Sequence, residues 1–294
     1  MMFGILFALV VSIPLGLDLY MPVPEDNPLT AERIERGREL FFDTRLSRDR
    51  TIACASCHDP ERAFSDGRPL AIGVFNRVGR RSAPALVNRG YGRAFFWDGR
   101  AATLEEQVLQ PIQDPNEMDM TLREVSARVG MPVEEISRSL ASFVRSLLSG
   151  DSPFDRLING DRAALTAEQQ DGLQLFRGKA NCTACHVGPT LSDERFHNTG
   201  VAWRDGHLHD EGRAAVSGRI EDRGAFKTPT LREIARTAPY MHDGSVVTLP
   251  EVVDFYDRGG NANPGLDAEL RPLKLTPAEK DSLGAFLNAL NGSR

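Results

Sequence analysis

The sequence predicts an all-α protein built from two similar halves. The capping-box pattern of helix N-termini, a hydroxyl residue followed three positions later by Glu or Gln, occurs at Thr103, Thr121, Thr166, Thr248 and Thr276. No segment shows the convincing apolar–polar alternation of a half-buried strand. Motifs recur at an offset of 145 residues, which indicates a duplicated module. We therefore expect two helical domains that share one plan.

The clearest helix is predicted over 133–148, where Ile136, Leu140 and Val144 follow helical spacing. A second is predicted after Thr276, with Pro277 at its first position, where proline is favoured.

The repeat divides the chain into domains. Trp97-Asp98-Gly99 recurs as His242-Asp243-Gly244, 145 residues later, and a turn-rich stretch at 149–153 separates the two copies. We therefore expect domains at 21–150 and 151–294.

The N-terminal segment stands apart from both domains. Met1 to Ile13 form an apolar run that is too short to span a bilayer and is typical of the hydrophobic region of a signal peptide. No Lys or Arg precedes this run and no A-x-A site follows it. We interpret residues 1–20 as an atypical signal peptide or N-terminal anchor.

All four cysteines lie in two C-x-x-C-H strings. This motif attaches c-type haem, because two thiols bond the porphyrin vinyl groups and the adjacent histidine binds iron. Two disulfides, a zinc site or a thioredoxin-like motif are alternatives, but none of them explains a histidine after each pair. We predict two cytochrome c-like domains with one covalent haem c each. The predicted attachment residues are Cys54, Cys57, His58, Cys182, Cys185 and His186.

Charge and cofactor together limit the function classes. The net charge is −6 without any block of like charge, which argues against a nucleic-acid partner. Covalent haem attachment in bacteria takes place outside the cytoplasm, so we expect export to the periplasm. Membrane contact is expected at most through the N-terminal segment.

Each haem iron needs a second axial ligand or has an open position. The first half contains no histidine besides His58, which predicts an open iron that binds small molecules. Met118, Met120 and Met131 remain alternative ligands there.

Four residues are candidate ligands of the second iron. Met241 is the only methionine after His186, and Tyr240, His242 and Tyr256 are the others. Tyr256 could equally be a core aromatic residue on its helix. The remaining histidines, which we interpret as surface or packing residues, are His197, His207 and His209.

These motifs resemble the bacterial di-haem cytochrome c peroxidase/MauG family, more closely its MauG members, from about Asn27 to Leu290. Besides the two haem motifs, the matching strings are Phe96-Trp97-Asp98-Gly99-Arg100, Glu105-Glu106-Gln107, Pro111-Ile112, Glu117-Met118, Tyr240-Met241-His242-Asp243-Gly244 and Phe255-Tyr256-Asp257-Arg258-Gly259-Gly260. The resemblance implies a peroxidatic N-terminal haem and an electron-transfer C-terminal haem.

The resemblance also assigns roles to four residues that composition alone leaves ordinary. Trp97 is implied to lie between the haems, and Gln107, Pro111 and Glu117 to line the peroxide-binding pocket, with Glu117 as acid/base. From the residues alone, Glu117 and Gln107 would be a helix cap and a surface amide.

Two positions depart from the ordinary peroxidases of this family. Those enzymes carry a distal histidine sixteen residues after the first haem histidine, where this chain has Val74. They also carry a methionine ligand fourteen residues after the histidine that corresponds to His242, where this chain, like MauG, has Tyr256. The resemblance thus implies that Tyr256 binds the second iron.

Family members bind calcium between the haem domains. The matching positions here are Ser82, in place of an asparagine, and the carbonyl groups of Thr237 and Pro239. We treat this as a calcium site weakened by the change to Ser82.

The resemblance implies an enzyme that uses hydrogen peroxide to form high-valent haem and oxidise residues, typically tryptophan, of a periplasmic partner protein. The alternative is a peroxidase that reduces hydrogen peroxide with electrons from a small cytochrome or cupredoxin. A plain electron carrier is disfavoured by the open first iron. Lys179-Ala180 stand where MauG has a surface tryptophan, and Trp203 is the only other tryptophan besides Trp97.

Overall fold

The structure is a computed structural model that describes residues 11–292. Within this range, the chain forms ten α-helices and four short strands joined by turns. The helices are α1 (Ala31–Phe41), α2 (Leu104–Gln107), α3 (Gln110–Gln113), α4 (Leu122–Val129), α5 (Val133–Ser146), α6 (Pro153–Ile158), α7 (Ala167–Arg177), α8 (Ala214–Ser217), α9 (Leu249–Asp257) and α10 (Pro277–Asn288). The strands are β1 (Phe196–His197), β2 (Trp203–Arg204), β3 (His207–Leu208) and β4 (Phe226–Lys227).

The helix starts agree with the sequence signals. Each of the five capping threonines precedes a helix, and its hydroxyl accepts the backbone N–H three residues later; the helices concerned are α2, α4, α7, α9 and α10. The helix predicted over 133–148 ends two residues earlier, at Ser146.

The strands correct the prediction of an all-α fold, because the described chain is mostly helical rather than purely helical. β1 pairs with β4 and β2 pairs with β3, both antiparallel. Each strand has only two residues, whereas apolar–polar alternation becomes readable over about four or more. Strands this short therefore leave no periodic signal in the sequence.

The two halves use the same helix contact. In the first, α1 packs on α5, and a Cβ on Gly37 would lie 1.9 Å from the Ser139 carbonyl oxygen. In the second, α7 packs on α10, and a Cβ on Gly172 would lie 2.0 Å from the Ser282 carbonyl oxygen. A glycine thus permits the close approach of two helices in each half.

Each half also has its own hydrophobic core. The first extends from Leu40 to Val144 and the second from Leu165 to Leu290. Between them, the backbone N–H of Ser149 donates to Asn88 of the first half, and its hydroxyl donates to Glu233 of the second. The exact domain bounds remain a prediction.

The predicted N-terminal segment is only partly within the described residues. Residues 1–10 lie outside them. Beyond, Leu15 exchanges hydrogen bonds with Asp151, and Arg232 donates to the Gly16 carbonyl, so this stretch packs against the domain junction. Among residues 11–292, no helix is long and apolar enough to cross a membrane.

We expect Gly172→Ala to destabilise the protein by about 1–3 kcal/mol, because the added methyl would overlap a backbone carbonyl of α10. Gly284→Ala is the matched control: it lies inside α10 with open space at its Cβ position, so alanine should stabilise by about 0.5–1 kcal/mol. Denaturant unfolding of the haem-loaded protein measures both. Equal effects of the two substitutions would contradict the proposed close contact.

Candidate haem and peroxide site

A cavity of about 700 Å³ lies between the two domains and reaches both C-x-x-C-H motifs. Cys57 and His58 line it from the first domain, and Cys182, Cys185 and His186 line it from the second. A smaller cavity of about 60 Å³ adjoins Cys54, Cys57 and His58. Both motifs therefore border the same large cavity.

The two motif histidines are oriented in the same way. His58 Nδ1 lies 2.7 Å from the Phe64 carbonyl oxygen, and His186 Nδ1 lies 2.9 Å from the Leu191 carbonyl oxygen. A carbonyl can only accept, so Nδ1 carries the proton in both rings. Nε2 is then the free electron-pair donor, as a haem-iron ligand requires.

The thiols fit covalent haem better than the alternatives. No disulfide bond joins any of the four cysteines, which lie among the described residues. Among the described residues, the one cluster of three close metal-ligand side chains is Cys185, Asp193 and His197, so the four thiols do not converge on a zinc ion. Burial raises the pKa of Cys54 and of Cys182 to about 12 in each case. The residues present therefore fit two covalently attached haems.

Three residues predicted to form the peroxide pocket come together on the cavity wall. Gln107 ends α2, Pro111 lies in α3, and Glu117 lies in the turn that follows. The Glu117 N–H donates to the Asp114 carbonyl at 3.0 Å. Burial, followed by repulsion from Asp114, raises the pKa of Glu117 to about 7, although Arg100 opposes this shift. Glu117 can therefore gain and lose a proton near neutral pH.

The segment that carries Val74 is packed directly on this turn. The Val74 N–H donates to the Glu117 carbonyl at 2.8 Å, and Val74 is fully buried. A Cβ on Gly73 would lie 2.1 Å from the Asn116 carbonyl oxygen, so only glycine permits this approach. The position of the distal histidine of ordinary peroxidases is thus occupied by a buried apolar side chain.

The methionines considered as alternative first-haem ligands lie in the core. Met118 and Met120 are buried there, and Met131 packs against the same cluster. None of the three lines the large cavity, although Met118 borders the small one.

At the second motif, four candidate ligands line the cavity, and they differ in what else they contact. Tyr240 donates its hydroxyl proton to the Ile234 carbonyl at 3.1 Å. The His242 ring stacks on Phe226 with 3.6 Å between ring centroids.

Tyr256, in α9, is the candidate whose hydroxyl remains available. Burial, reinforced by Cys182 and Cys185, raises its pKa well above the usual value, and no hydrogen bond within the described residues contributes. The phenol therefore faces the cavity without a protein partner. Met241 lines the cavity as well, so its role as a ligand stays an open alternative.

The other histidines make protein contacts. His197 lies between Asp193 and Asp267, with N–O distances of 3.0 and 2.6 Å. His209 contacts the Arg204 carbonyl, and His207 is exposed. Their interpretation as packing or surface residues is consistent with these contacts.

Trp97 lies where the two domains meet. Its indole N–H donates to the Ser82 carbonyl at 2.9 Å, and its ring centroid is 6.5 Å from that of His242. Its own carbonyl accepts the Lys227 N–H at 2.8 Å. Trp97 and His242, the residues matched by the repeat, therefore contact each other across the interface.

The predicted calcium residues line the same cavity. These are Ser82, Thr237 and Pro239. The Ser82 carbonyl already accepts the bond from Trp97, and the Ser82 N–H donates to the His242 carbonyl. Calcium binding here remains a prediction.

Sequence reasoning missed an ion-pair network that joins the domains beside Trp97. Arg81 donates to Asp98 at 2.7 Å and to both oxygens of Asp210 at 2.8 Å. Arg213 donates to the carbonyls of Asp98 and Gly99. The partners that cross between the domains are 129 residues apart for Arg81 and Asp210 and 115 apart for Arg213 and Asp98, and no motif or repeat pairs these positions.

Comparison with known proteins identifies the family of the chain. A family model described as di-haem cytochrome c peroxidase matches residues 31–132. Methylamine utilization protein MauG of Methylorubrum extorquens is 38% identical, over 92% of this chain and 81% of that protein. Cytochrome-c peroxidase IdrP2 of Denitromonas iodatirespirans is also 38% identical, over 92% of this chain and 84% of that protein.

A solved structure gives the same result at the level of the fold. The crystal structure of a MauG-like protein associated with microbial copper homeostasis superposes with a TM-score of 0.85 at 36% identity, covering 94% of each chain. The chain belongs to the di-haem cytochrome c peroxidase/MauG family, whose members are peroxidase-type oxidoreductases that use haem c.

We expect the purified protein to contain two covalent haems, one of them high-spin in the ferric state without prior reduction. The reason is that the first half of the sequence contains no histidine besides His58. Pyridine haemochrome analysis and electron paramagnetic resonance (EPR) measure both properties. A wholly low-spin wild-type spectrum would contradict the prediction.

Proposed function

We propose that this protein uses hydrogen peroxide to oxidise side chains, foremost tryptophan, of a partner protein in the periplasm. The observation that carries the proposal is Tyr256, which faces the second haem motif with no hydrogen-bonding partner among the described residues. Haems held by the two C-x-x-C-H motifs would supply the redox chemistry for peroxide reduction. An anionic phenolate is a hard donor that favours oxidised iron.

Glu117 handles the proton in this scheme. Its carboxylate takes a proton from the inner peroxide oxygen and returns it to the outer oxygen, which leaves as water. A pKa of about 7 suits both steps, because the group is neither permanently ionised nor permanently protonated. Gln107, on the same cavity wall, orients the bound peroxide.

Trp97 links the two haem sites. It is hydrogen-bonded through its indole to Ser82 and through its carbonyl to Lys227 of the second domain, so its ring is held in one orientation. An aromatic residue fixed between two redox centres provides the route by which the second site shares the oxidising equivalents.

The second candidate function is the removal of hydrogen peroxide with electrons from a small cytochrome or cupredoxin. One observation favours it: Lys179 and Ala180 stand where MauG has a surface tryptophan, and Lys179 is instead paired with Glu279 at 2.6 Å. A low-potential tyrosine-ligated haem would accept such electrons poorly, which is why we place this function second.

Glu117→Gln should slow the reaction with peroxide by roughly 10²–10⁴-fold while both haems are retained. In the wild type the rate should rise with pH through a midpoint near 7, because only the ionised carboxylate accepts the peroxide proton. Stopped-flow measurements from pH 5 to 9 test this. Asp114→Asn is the matched control: it removes the repelling carboxylate and should move the midpoint to lower pH. An unchanged rate in Glu117→Gln would exclude Glu117 as the proton carrier.

Tyr256→His should raise the reduction potential of the second haem and abolish oxidation of a tryptophan-containing partner, because imidazole replaces an anionic oxygen ligand. Spectroelectrochemical titration measures the potential. Tyr240→Phe is the control, since the Tyr240 hydroxyl is already bonded to Ile234 and should not affect it.

The two functions give opposite results in one further assay. The wild type should turn over peroxide poorly with a reduced small cytochrome, and Tyr256→His should do so faster. Rapid cytochrome-dependent turnover by the wild type would instead support the second function.

A further inference from the structure

Lys227 carries a buried cation at the domain interface, and its side chain has no part in the scheme above. Its side chain is 9% exposed and lines the large cavity. It ends β4, and its N–H bond to the Trp97 carbonyl fixes its backbone against the first domain. A buried ammonium group is stable only when anions or hydrogen-bond acceptors compensate its charge.

Within the described residues, the positive charge of Lys227 is only partly compensated. Its ion-pair partner within the described residues is Glu194, at 3.5 Å, and it also donates to the Thr228 carbonyl at 3.2 Å. Glu194 is already engaged by Arg89, which donates to both its oxygens at 2.7 and 3.1 Å. Neighbouring Asp193 is paired with His197. Arg89 and Lys227 thus share a single carboxylate.

Other buried cations on the cavity wall are better matched. Arg81 contacts two carboxylates, those of Asp98 and Asp210. Arg232 is paired with Asp155 and also donates to backbone carbonyls. Among these buried cations, the incompletely matched positive charge therefore lies at the cluster of Arg89, Glu194 and Lys227.

The electrostatics of this cluster agree with the geometry. Burial, followed by repulsion from Arg89, lowers the pKa of Lys227 to about 7, although Glu194 and Asp193 act in the opposite direction. Burial disfavours ionisation of Glu194 too, but Arg89 and Lys227 outweigh it and lower the pKa of Glu194 to about 2. Arg89 and Lys227 are thus two cations paired with one carboxylate, so the charge balance favours binding of a further anion beside Lys227.

We propose that Lys227, together with Arg89, binds a propionate carboxylate of a haem, and that its charge raises the reduction potential of this haem. Both side chains line the cavity that reaches the two haem motifs, and the propionates are the groups of haem c that are ionised at neutral pH. A nearby positive charge stabilises the reduced state, which has gained an electron. The inference rests on family membership and holds for either function above.

Lys227→Met should lower the reduction potential of one haem and shift the propionate band in reduced-minus-oxidised infrared spectra. The backbone bond to Trp97 is unaffected by this change. Lys227→Arg keeps the charge and should keep a potential near that of the wild type. Lys274→Met is the matched control, because Lys274 is exposed and the same substitution there should change neither measurement.

Unchanged potentials and an unchanged propionate band in Lys227→Met would overturn the proposal. A wild-type potential that varies with chloride or acetate concentration, and ceases to vary in Lys227→Met, would show that a soluble anion binds here instead, and would also overturn it. If Lys227→Met loses its haems, the infrared comparison is made with Lys227→Arg. The forked guanidinium group introduced by Lys227→Arg shifts the propionate band if residue 227 contacts the propionate, and leaves the band unchanged if it does not.

Discussion

The contact between the Trp97 turn and the second domain is the constraint on which the site depends. The Trp97 carbonyl accepts a hydrogen bond from the Lys227 N–H, and Arg213 donates to the carbonyls of the next two residues, Asp98 and Gly99. Arg81 adds ion pairs to carboxylates of both domains. Because these bonds are mostly buried, they resist sliding of one domain on the other. The cavity between the haem motifs, and the indole within it, therefore keep a fixed geometry.

Duplication explains how one scaffold provides two chemically different sites. The isolated bridges Phe95–Ala101 and Tyr240–Val246 recur at the 145-residue offset, so the backbone around each site is alike. Function diverges through side chains at matched positions. His242 corresponds to Trp97, and Tyr256 corresponds to Pro111, which cannot act as a ligand. A repeated backbone thus carries the proposed peroxide pocket in one half and a candidate phenolate ligand in the other.

Local signals made most helices predictable, while contacts between distant residues were not. A capping threonine and its partner are three residues apart, so Thr121 and Glu124 are readable together. The haem motifs are equally compact. The two-residue strands lack any period, and the pairing of Arg89 with Glu194 joins positions 105 residues apart. Only folding brings such groups together, and this is why Lys227 carried no signal in the sequence.

Two titratable groups on the cavity wall, Glu117 and Lys227, have pKa values that are shifted to about 7 from opposite directions. Burial disfavours the charged form of each, so it raises the pKa of Glu117 and lowers that of Lys227. The neighbouring charges differ between the two groups, with Asp114 beside Glu117 and Glu194 beside Lys227. Asp114 repels a second negative charge at Glu117, which favours a proton that can be exchanged. Glu194 raises the pKa of Lys227 without fully offsetting burial and Arg89, so the proposed carboxylate would complete the compensation of this charge. One cavity thereby carries the proposed proton carrier, Glu117, and the proposed anion site, Lys227.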